Sequence, residues 1–284
     1  MSFLLRLQGF LRAGTELPTL PASVLEIQSA LAAEEVPLGE LVAIVERDPA
    51  LAARLLRTAN SSLYARGGER VSALGPAIGR IGLRQLRAVS LAGSVLQIFK
   101  ARSESLRPEA FWSHSAAVGV ASRTLAQALS RPDLDPDVCY TAGLLHDVGL
   151  LVLDQFFPDD YAVIAGQRKE LELPWWQQEE DTFGLDHGEI GGLLLGHWGL
   201  PSMIVEAVTF HHRPSDAHDG VRSAAYVVHA AEILVATDPL ALPDEGMETA
   251  ELGPVLEVLG AGDRLESLTE RMLTAVHGSG GVLA

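Results

Sequence analysis

Cysteine is nearly absent from this 284-residue chain, which holds Cys139 alone. A single thiol excludes a disulfide within the chain and a zinc site built from several cysteines, and its apolar surroundings predict a buried, unreactive side chain. Long hydrophobic runs are also missing, because charged residues such as Arg84 and Asp147 interrupt the most apolar stretches. We therefore expect no membrane-spanning segment. Residues 1–10 lack the features of a secretion signal, so the predicted location is the cytoplasm.

Aromatic residues make up only 6% of the chain, whereas 48% of residues are hydrophobic and 20% are charged. Alanine and leucine dominate, and both favour helix. No alternation of apolar and polar residues predicts strands in the N-terminal half. The sequence therefore predicts an all-α fold in which an N-terminal helical bundle packs beside a second helical domain.

Polar stretches at residues 100–108 and 239–246 divide the chain. We predict a basic helical subdomain over residues 1–105, a second helical subdomain over residues 106–240, and a C-terminal helical extension with a frayed tail over residues 241–284.

Local signals predict where several helices begin. The spacing of Ser23 and Glu26 is typical of a capping box, and Asp48 followed by proline is typical of a helix start. The apolar run over residues 137–156 predicts one continuous helix.

Charge is distributed unevenly along the chain. The net charge is −16, but residues 47–102 carry ten Lys or Arg against two acids, which leaves −24 for the rest. Helical spacing would place Arg80, Arg84 and Arg87 in one stripe. We expect first that the acidic part of the same chain neutralises this segment. An acidic protein surface or an anionic ligand such as a nucleotide is the second alternative, and duplex DNA is unlikely because the remainder would repel it.

An adjacent His146-Asp147 pair interrupts the apolar run at residues 143–149. Burying a charge is costly unless it is paired or ligated, so Asp147 needs partners. Two alternatives stay open: a divalent-metal site and a hydrogen-bonded polar cluster without metal. The partners that the chain offers are His114, His187, His211, His212 and Glu232.

Each of these residues also has a simpler interpretation. His114 is a lone helical histidine, and His187 follows Asp186, which could cap a helix and leave His187 in solvent. The doublet at residues 211–212 ends a helix, where positive charge suits the dipole. Gly191 and Gly192 weaken a helix by about 1 kcal/mol each, which indicates close helix packing.

Taken together, these motifs resemble the HD superfamily of metal-dependent phosphohydrolases and, more specifically, HDOD domain proteins. The resemblance covers roughly residues 10–240. It implies an all-helical fold with an N-terminal bundle beside an HD-like domain, and a role as a bacterial signalling or regulatory module. The matching segments are residues 17–21, 48–51, 56–61, 77–82, 142–149, 186–198 and 211–214.

Three departures bear on catalysis. Leu150 stands where the more distantly similar HD-GYP phosphodiesterases have a lysine, and their Gly-Tyr-Pro element is absent after His212. Glu232 stands where the last HD ligand is normally aspartate.

We therefore rank a non-catalytic signalling module with an HD-like pocket first. A metal-dependent phosphohydrolase comes second, with Mn, Fe, Mg or Zn lowering the pKa of a bound water. Binding of an anionic partner by the basic segment comes third. In the second hypothesis the first metal would be held by His114, His146, Asp147 and Glu232, and Asp147 would be the candidate catalytic residue. A second metal or the phosphate would be held by His187, His211 and His212.

Overall fold

The computed structural model describes residues 19–33, 35–65, 68–99, 106–167, 174–237 and 252–279. Within these ranges the chain forms α-helices and two short 3-10 turns, and no β-strand. The predicted all-α fold is therefore confirmed. No helix in the described ranges combines the length and hydropathy of a membrane span. Residues 100–105 and 238–251, which contain the predicted junctions, lie outside the described residues, so the domain boundaries stay predictions.

The N-terminal part of the chain encloses a core of its own. Ile27, Leu41, Leu55 and Ile78 are fully buried in it, and each such side chain contributes about 1.5–3 kcal/mol relative to an exposed one. Its helices are α1 (Ala22–Ala30), α2 (Leu38–Glu46), α3 (Pro49–Asn60), α4 (Ser62–Ala65), α5 (Leu74–Ile81) and α6 (Leu83–Ile98).

A larger core lies in the following part, where long helix α7 packs against α8 and α14. Val118, Leu144 and Val228 are buried there, and the C-terminal helices join the same core through Leu256 and Met272. The helices are α7 (Pro108–Leu129), α8 (Pro136–Leu145), α9 (Val148–Phe156), α10 (Pro158–Gln167), α11 (Trp175–Phe183), α12 (His187–His197), α13 (Ser202–Thr209), α14 (Asp219–Thr237), α15 (Leu252–Val258) and α16 (Leu265–Gly278).

Arg123 on α7 connects the two cores. Its Nη1 donates to the hydroxyl of Tyr64 at 2.7 Å, and its Nη2 lies 2.8 Å from Oδ1 of Asp137. The guanidinium is thus held between a residue of the N-terminal part and a residue of α8. It is a structural contact between the two parts of the chain.

The predicted capping box at Ser23 is wrong. Helix α1 follows an extended Pro21 and has no side-chain cap, because Ser23 lies inside the first turn and donates to Oδ2 of Asp48 at 2.8 Å. Glu26 pairs with Arg47 instead. The predicted cap at Asp48 is confirmed, since its carboxylate accepts the N–H of the third helical residue of α3 at 3.0 Å.

The predicted single stripe of arginines is also wrong. Gly82, with φ of 84°, separates α5 from α6, so Arg80 lies on one helix and Arg84 and Arg87 on the next. Arg80 donates to the backbone carbonyls of residues 59 and 69 at 3.3 and 2.7 Å. Arg84 pairs with Asp135 at 2.7 Å, which is the kind of contact that neutralisation within the chain requires.

Candidate metal centre

The predicted continuous helix over residues 137–156 is interrupted at His146 and Asp147, which lie between α8 and α9. Asp147 has φ of −91° and ψ of 8°, in the bridge region between helix and strand. His146 donates its Nδ1–H to the carbonyl of Gly143 at 2.8 Å. The break places the imidazole and the carboxylate beside one another, with His146 Nε2 3.1 Å from Asp147 Oδ1.

Glycines bring α9 against α12. A Cβ atom at Gly149 would overlap the carbonyl oxygen of His187, and one at Gly191 would lie 3.2 Å from the backbone nitrogen of Gly149. A Cβ atom at Gly192 would overlap a threonine of α13. The predicted close packing at Gly191 and Gly192 is therefore confirmed, and it brings the start of α12 next to Asp147.

Four imidazoles surround the carboxylate of Asp147. Its Oδ1 lies 3.1, 3.2 and 3.9 Å from Nε2 of His146, His187 and His211 respectively. Its Oδ2 lies 3.7 Å from Nε2 of His114. The helices thus bring together residues that are up to 97 positions apart in the sequence, as the need of Asp147 for partners predicts.

Glu232 and His212 lie next to His211. Oε2 of Glu232 is 3.9 Å from both His211 Nε2 and His212 Nδ1, and His212 Nε2 is 2.8 Å from His187 Nε2. His212 lies at the partly exposed rim, whereas His211 is fully buried.

Two compact groups of donor atoms result, each with its atoms within 4.8 Å of one another. His114 stands beside these groups rather than within either. The first group is His146, Asp147, His211 and Glu232, and the second is His187, His211 and His212.

Backbone carbonyls fix the orientation of two imidazoles. His211 donates its Nδ1–H to the carbonyl of Val208 at 2.7 Å, just as His146 does to Gly143. In a neutral imidazole this leaves Nε2 as the lone-pair nitrogen. Among the described residues the Nε2 of His211 has no hydrogen-bond partner, so its lone pair is available to a ligand. Burial opposes charge on His146, but the neighbouring Asp147 outweighs burial and raises the pKa of His146. A cation at the Nε2 of His146 would therefore replace a proton.

Glu179 on α11 fixes the orientation of His187. One oxygen, Oε2, accepts the His187 Nδ1–H at 2.6 Å and the His187 backbone N–H at 2.7 Å. Glu179 is fully buried. A carboxylate that holds one ring nitrogen while the other points into a site is the usual support of a metal-binding histidine.

Burial and pairing set the protonation states. Burial lowers the pKa of His114 to about 4 and holds the pKa values of His211 and His212 well below their usual range. Burial also opposes charge on His187, but the neighbouring carboxylates outweigh it and raise its pKa. The adjacent imidazoles likewise outweigh burial at Asp147 and hold its pKa well below the usual value.

The residues present fit a divalent cation. The His146 lone pair and the Asp147 carboxylate face each other at 3.1 Å, an arrangement that needs a proton or a cation between them. The site also combines buried carboxylates with the neutral imidazoles of His114, His211 and His212, which are the states that ligate metal. His146 and His187, whose pKa values are raised, would each release a proton when a metal binds. Imidazole with carboxylate suits Zn, Fe or Mn better than Ca.

A comparison with known proteins places this geometry in a family. The HDOD domain family matches residues 17–214. The chain belongs to this family. The match takes in the N-terminal helices and every histidine and aspartate of the centre, and it ends before helix α14, which carries Glu232.

Relatives of this HDOD chain agree with its fold. A structure from Shewanella amazonensis SB2B, named "Putative phosphohydrolase", is 26% identical with a TM-score of 0.78, over 98% of this chain and 96% of that one. An HDOD domain protein of unknown function from Geobacter sulfurreducens is 24% identical with a TM-score of 0.76, over 96% of each chain. An uncharacterized protein of Treponema pallidum (strain Nichols) is 30% identical over 200 residues, which are 69% of this chain and 38% of that protein.

The basic residues near the HDOD centre are committed to other contacts. Arg213 contacts three carboxylates, those of Glu180, Asp186 and Glu189, at 3.0, 3.1 and 3.4 Å. Arg123 is likewise engaged, by Tyr64 and Asp137. Leu150, at the position of the lysine in the distantly similar phosphodiesterases, is buried in the core.

Glu179 is the contributor to the site that sequence reasoning missed. It lies in an ordinary polar helix, eight residues before His187, and no motif spacing links the two. His187 itself is 2% exposed, so the simpler interpretation of it as a solvent residue is wrong. The cap at Asp186 does form, as a full capping box with Glu189.

Proposed function

We propose that this HDOD chain is a regulatory module whose His/Asp centre binds a divalent metal ion and does not hydrolyse phosphodiesters. The metal would be held by the group around His146, Asp147, His211 and Glu232, with His114 and the His187/His212 pair alongside. A cytoplasmic location and a signalling partner are part of the same proposal.

Metal binding is supported by the Nε2 atoms of His146 and His211. Both are buried, both are oriented by backbone carbonyls, and both face carboxylates. An unsatisfied polar atom in a protein interior costs about 1–3 kcal/mol. A bound cation would offset that cost at His211 Nε2 and would take the place of the proton between His146 and Asp147.

The state of Arg213 is the single observation that carries the non-catalytic assignment. Phosphoryl chemistry needs positive charge at the oxygens of the transferring group. Among the described residues Arg213 is next to the centre in sequence, directly after His212, and its contacts with Glu180, Asp186 and Glu189 already neutralise it. The donors are also poorly accessible, since His146 and His211 are 0% exposed.

A metal-dependent phosphohydrolase is the second candidate. The name of the Shewanella relative favours it, because that chain is similar over nearly its full length. A bound metal would supply Lewis-acid activation of water at such a centre. His114, at 19% side-chain exposure, is the donor best placed to meet a substrate from solvent, and burial lowers its pKa to about 4, which keeps the ring neutral at pH 7.

An assay with Mn²⁺-loaded protein separates the two candidates. We expect no turnover of bis(p-nitrophenyl) phosphate or of cyclic dinucleotides above the level of the Asp147→Ala variant. The metal content of each sample is measured in parallel. Robust Mn²⁺-dependent hydrolysis that disappears in Asp147→Ala would establish the hydrolase and refute the regulatory assignment.

A further inference from the structure

A cleft of about 430 Å³ opens between the N-terminal helices and the helices of the His/Asp centre. Its volume is within the range of small-molecule sites, roughly 300–1,000 Å³. Leu31, Val36 and Leu83 line it from the N-terminal part, and Val138 and Ile204 line it from α8 and α13. Leu83 is 43% exposed, so its side chain presents apolar surface to an occupant of the cleft.

The carboxylates of the cleft are already neutralised. Asp135 caps α8 by accepting the N–H of Asp137 at 2.9 Å and pairs with Arg84 at 2.7 Å. Asp137 pairs with Arg123 at 2.8 Å and lies 3.6 Å from Arg84. A cationic ligand would therefore have to displace an existing arginine.

Arg87 is the cation of the cleft that remains available. Its guanidinium makes one long hydrogen bond within the described residues, at 3.4 Å from Nη2 to the carbonyl of Leu31. No carboxylate pairs with it among the described residues. The cleft thus offers an apolar wall and one free guanidinium, which binds carboxylate, sulfonate or phosphate groups well.

We propose that this cleft binds a small organic anion that carries an apolar or aromatic body. The acidic group would contact Arg87, and the body would cover Leu83 and Val138. Such a ligand fits the charge balance of the cleft better than a peptide cation or a neutral hydrocarbon. Arg80 takes no part, because its guanidinium donates to two backbone carbonyls.

The position of the cleft links it to the His/Asp centre. Helix α8 lines the cleft through Val138 and Thr141 and leads to His146-Asp147. Helix α13 lines it through Ile204 and leads to the doublet at residues 211–212. An occupant would therefore contact the N-terminal part and both helices whose C-terminal ends supply ligands.

Fluorescent probes of the required class test the proposal. We would titrate the full-length protein with 8-anilinonaphthalene-1-sulfonate, an apolar body with one anionic group, and with N-phenyl-1-naphthylamine, which lacks the sulfonate. Arg87→Gln removes the charge and Arg87→Lys restores it. Ala33→Trp fills the cleft from an exposed lining position. The matched controls are Arg70→Gln and Ala32→Trp, exposed positions that do not line the cleft.

We expect the sulfonate probe to bind at least tenfold more weakly to Arg87→Gln, while Arg87→Lys recovers most of the affinity and Arg70→Gln changes nothing. The neutral probe should be insensitive to Arg87→Gln. Ala33→Trp should abolish binding of both probes, and Ala32→Trp should leave it intact, with unchanged helical circular dichroism in every variant. Equal affinity of the sulfonate probe for the wild type, Arg87→Gln and Ala33→Trp, or no binding to the wild type, would overturn the proposal.

Discussion

One carboxylate oxygen of Glu179 accepts two hydrogen bonds from His187, at 2.7 Å from the backbone N–H and at 2.6 Å from Nδ1. Both residues are buried, so this contact fixes the rotamer of the imidazole and the start of helix α12 together. The remaining nitrogen, Nε2, points to Asp147 at 3.2 Å. Glu179 therefore acts on the centre through His187.

Glu179→Gln should weaken Mn²⁺ binding about 10–100-fold, the usual effect of removing the carboxylate behind a metal-binding histidine. The amide oxygen can still accept both hydrogen bonds, but it carries no charge, so both lose the charge-assisted strength that the carboxylate gives them. Isothermal titration calorimetry with Mn²⁺ measures the change. Glu180→Gln is the matched control, because Glu180 is 40% exposed and contacts Arg213 instead. Equal losses of Mn²⁺ affinity in the two variants would contradict the role of Glu179 as the carboxylate that holds His187.

The residues of the centre were predictable from sequence because Asp147 is a charge inside an apolar run, and such a charge needs partners. Glu179 was not predictable, because its role depends on how α11 packs against α12. The interruption at His146 was not predictable either, since neither residue of the break is a proline or glycine. Tertiary contacts with the imidazoles, rather than local propensity, end the helix there.

The all-α class followed from composition and periodicity, which are local properties. The predicted stripe of arginines was wrong because of the backbone conformation at one residue, which helical spacing does not take into account. Gly82 adopts a positive φ of 84°, so the periodicity of α5 does not continue into α6. Only the folded chain shows that Arg80 and Arg87 have different surroundings.

Gly149 limits the distance between α9 and α12. Gly149→Ala should destabilise the protein by at least about 1–3 kcal/mol, the usual cost of overpacking, because the new methyl group meets the carbonyl of His187. Gly39→Ala is the matched control in helix α2, where a Cβ has no neighbour within 4 Å. That change should stabilise the folded protein by about 0.5–1 kcal/mol. Urea denaturation of both variants checks the prediction, and equal stability of the two would refute the close approach.

Cys139 should be unreactive in the folded protein. It is fully buried on α8, and burial, together with the charge of Asp135, raises the pKa of its thiol to about 12. The folded state therefore holds the proton more tightly than the unfolded chain does, and this contribution to stability decreases as pH rises above about 9. Ellman's reagent at pH 8 should modify less than a tenth of the native protein and all of it in guanidinium chloride. Complete modification of the native protein within minutes would contradict this burial.

The most direct test of the central claim is a Mn²⁺ titration of chelator-treated protein by isothermal titration calorimetry. The variants are Asp147→Asn, which keeps the shape and removes the charge, and His218→Ala, an exposed histidine outside the centre. We predict saturable binding to the wild type and to His218→Ala, and a loss of at least 100-fold in affinity in Asp147→Asn. No binding to the wild type, or binding that Asp147→Asn leaves unchanged, would contradict a metal at the His/Asp centre.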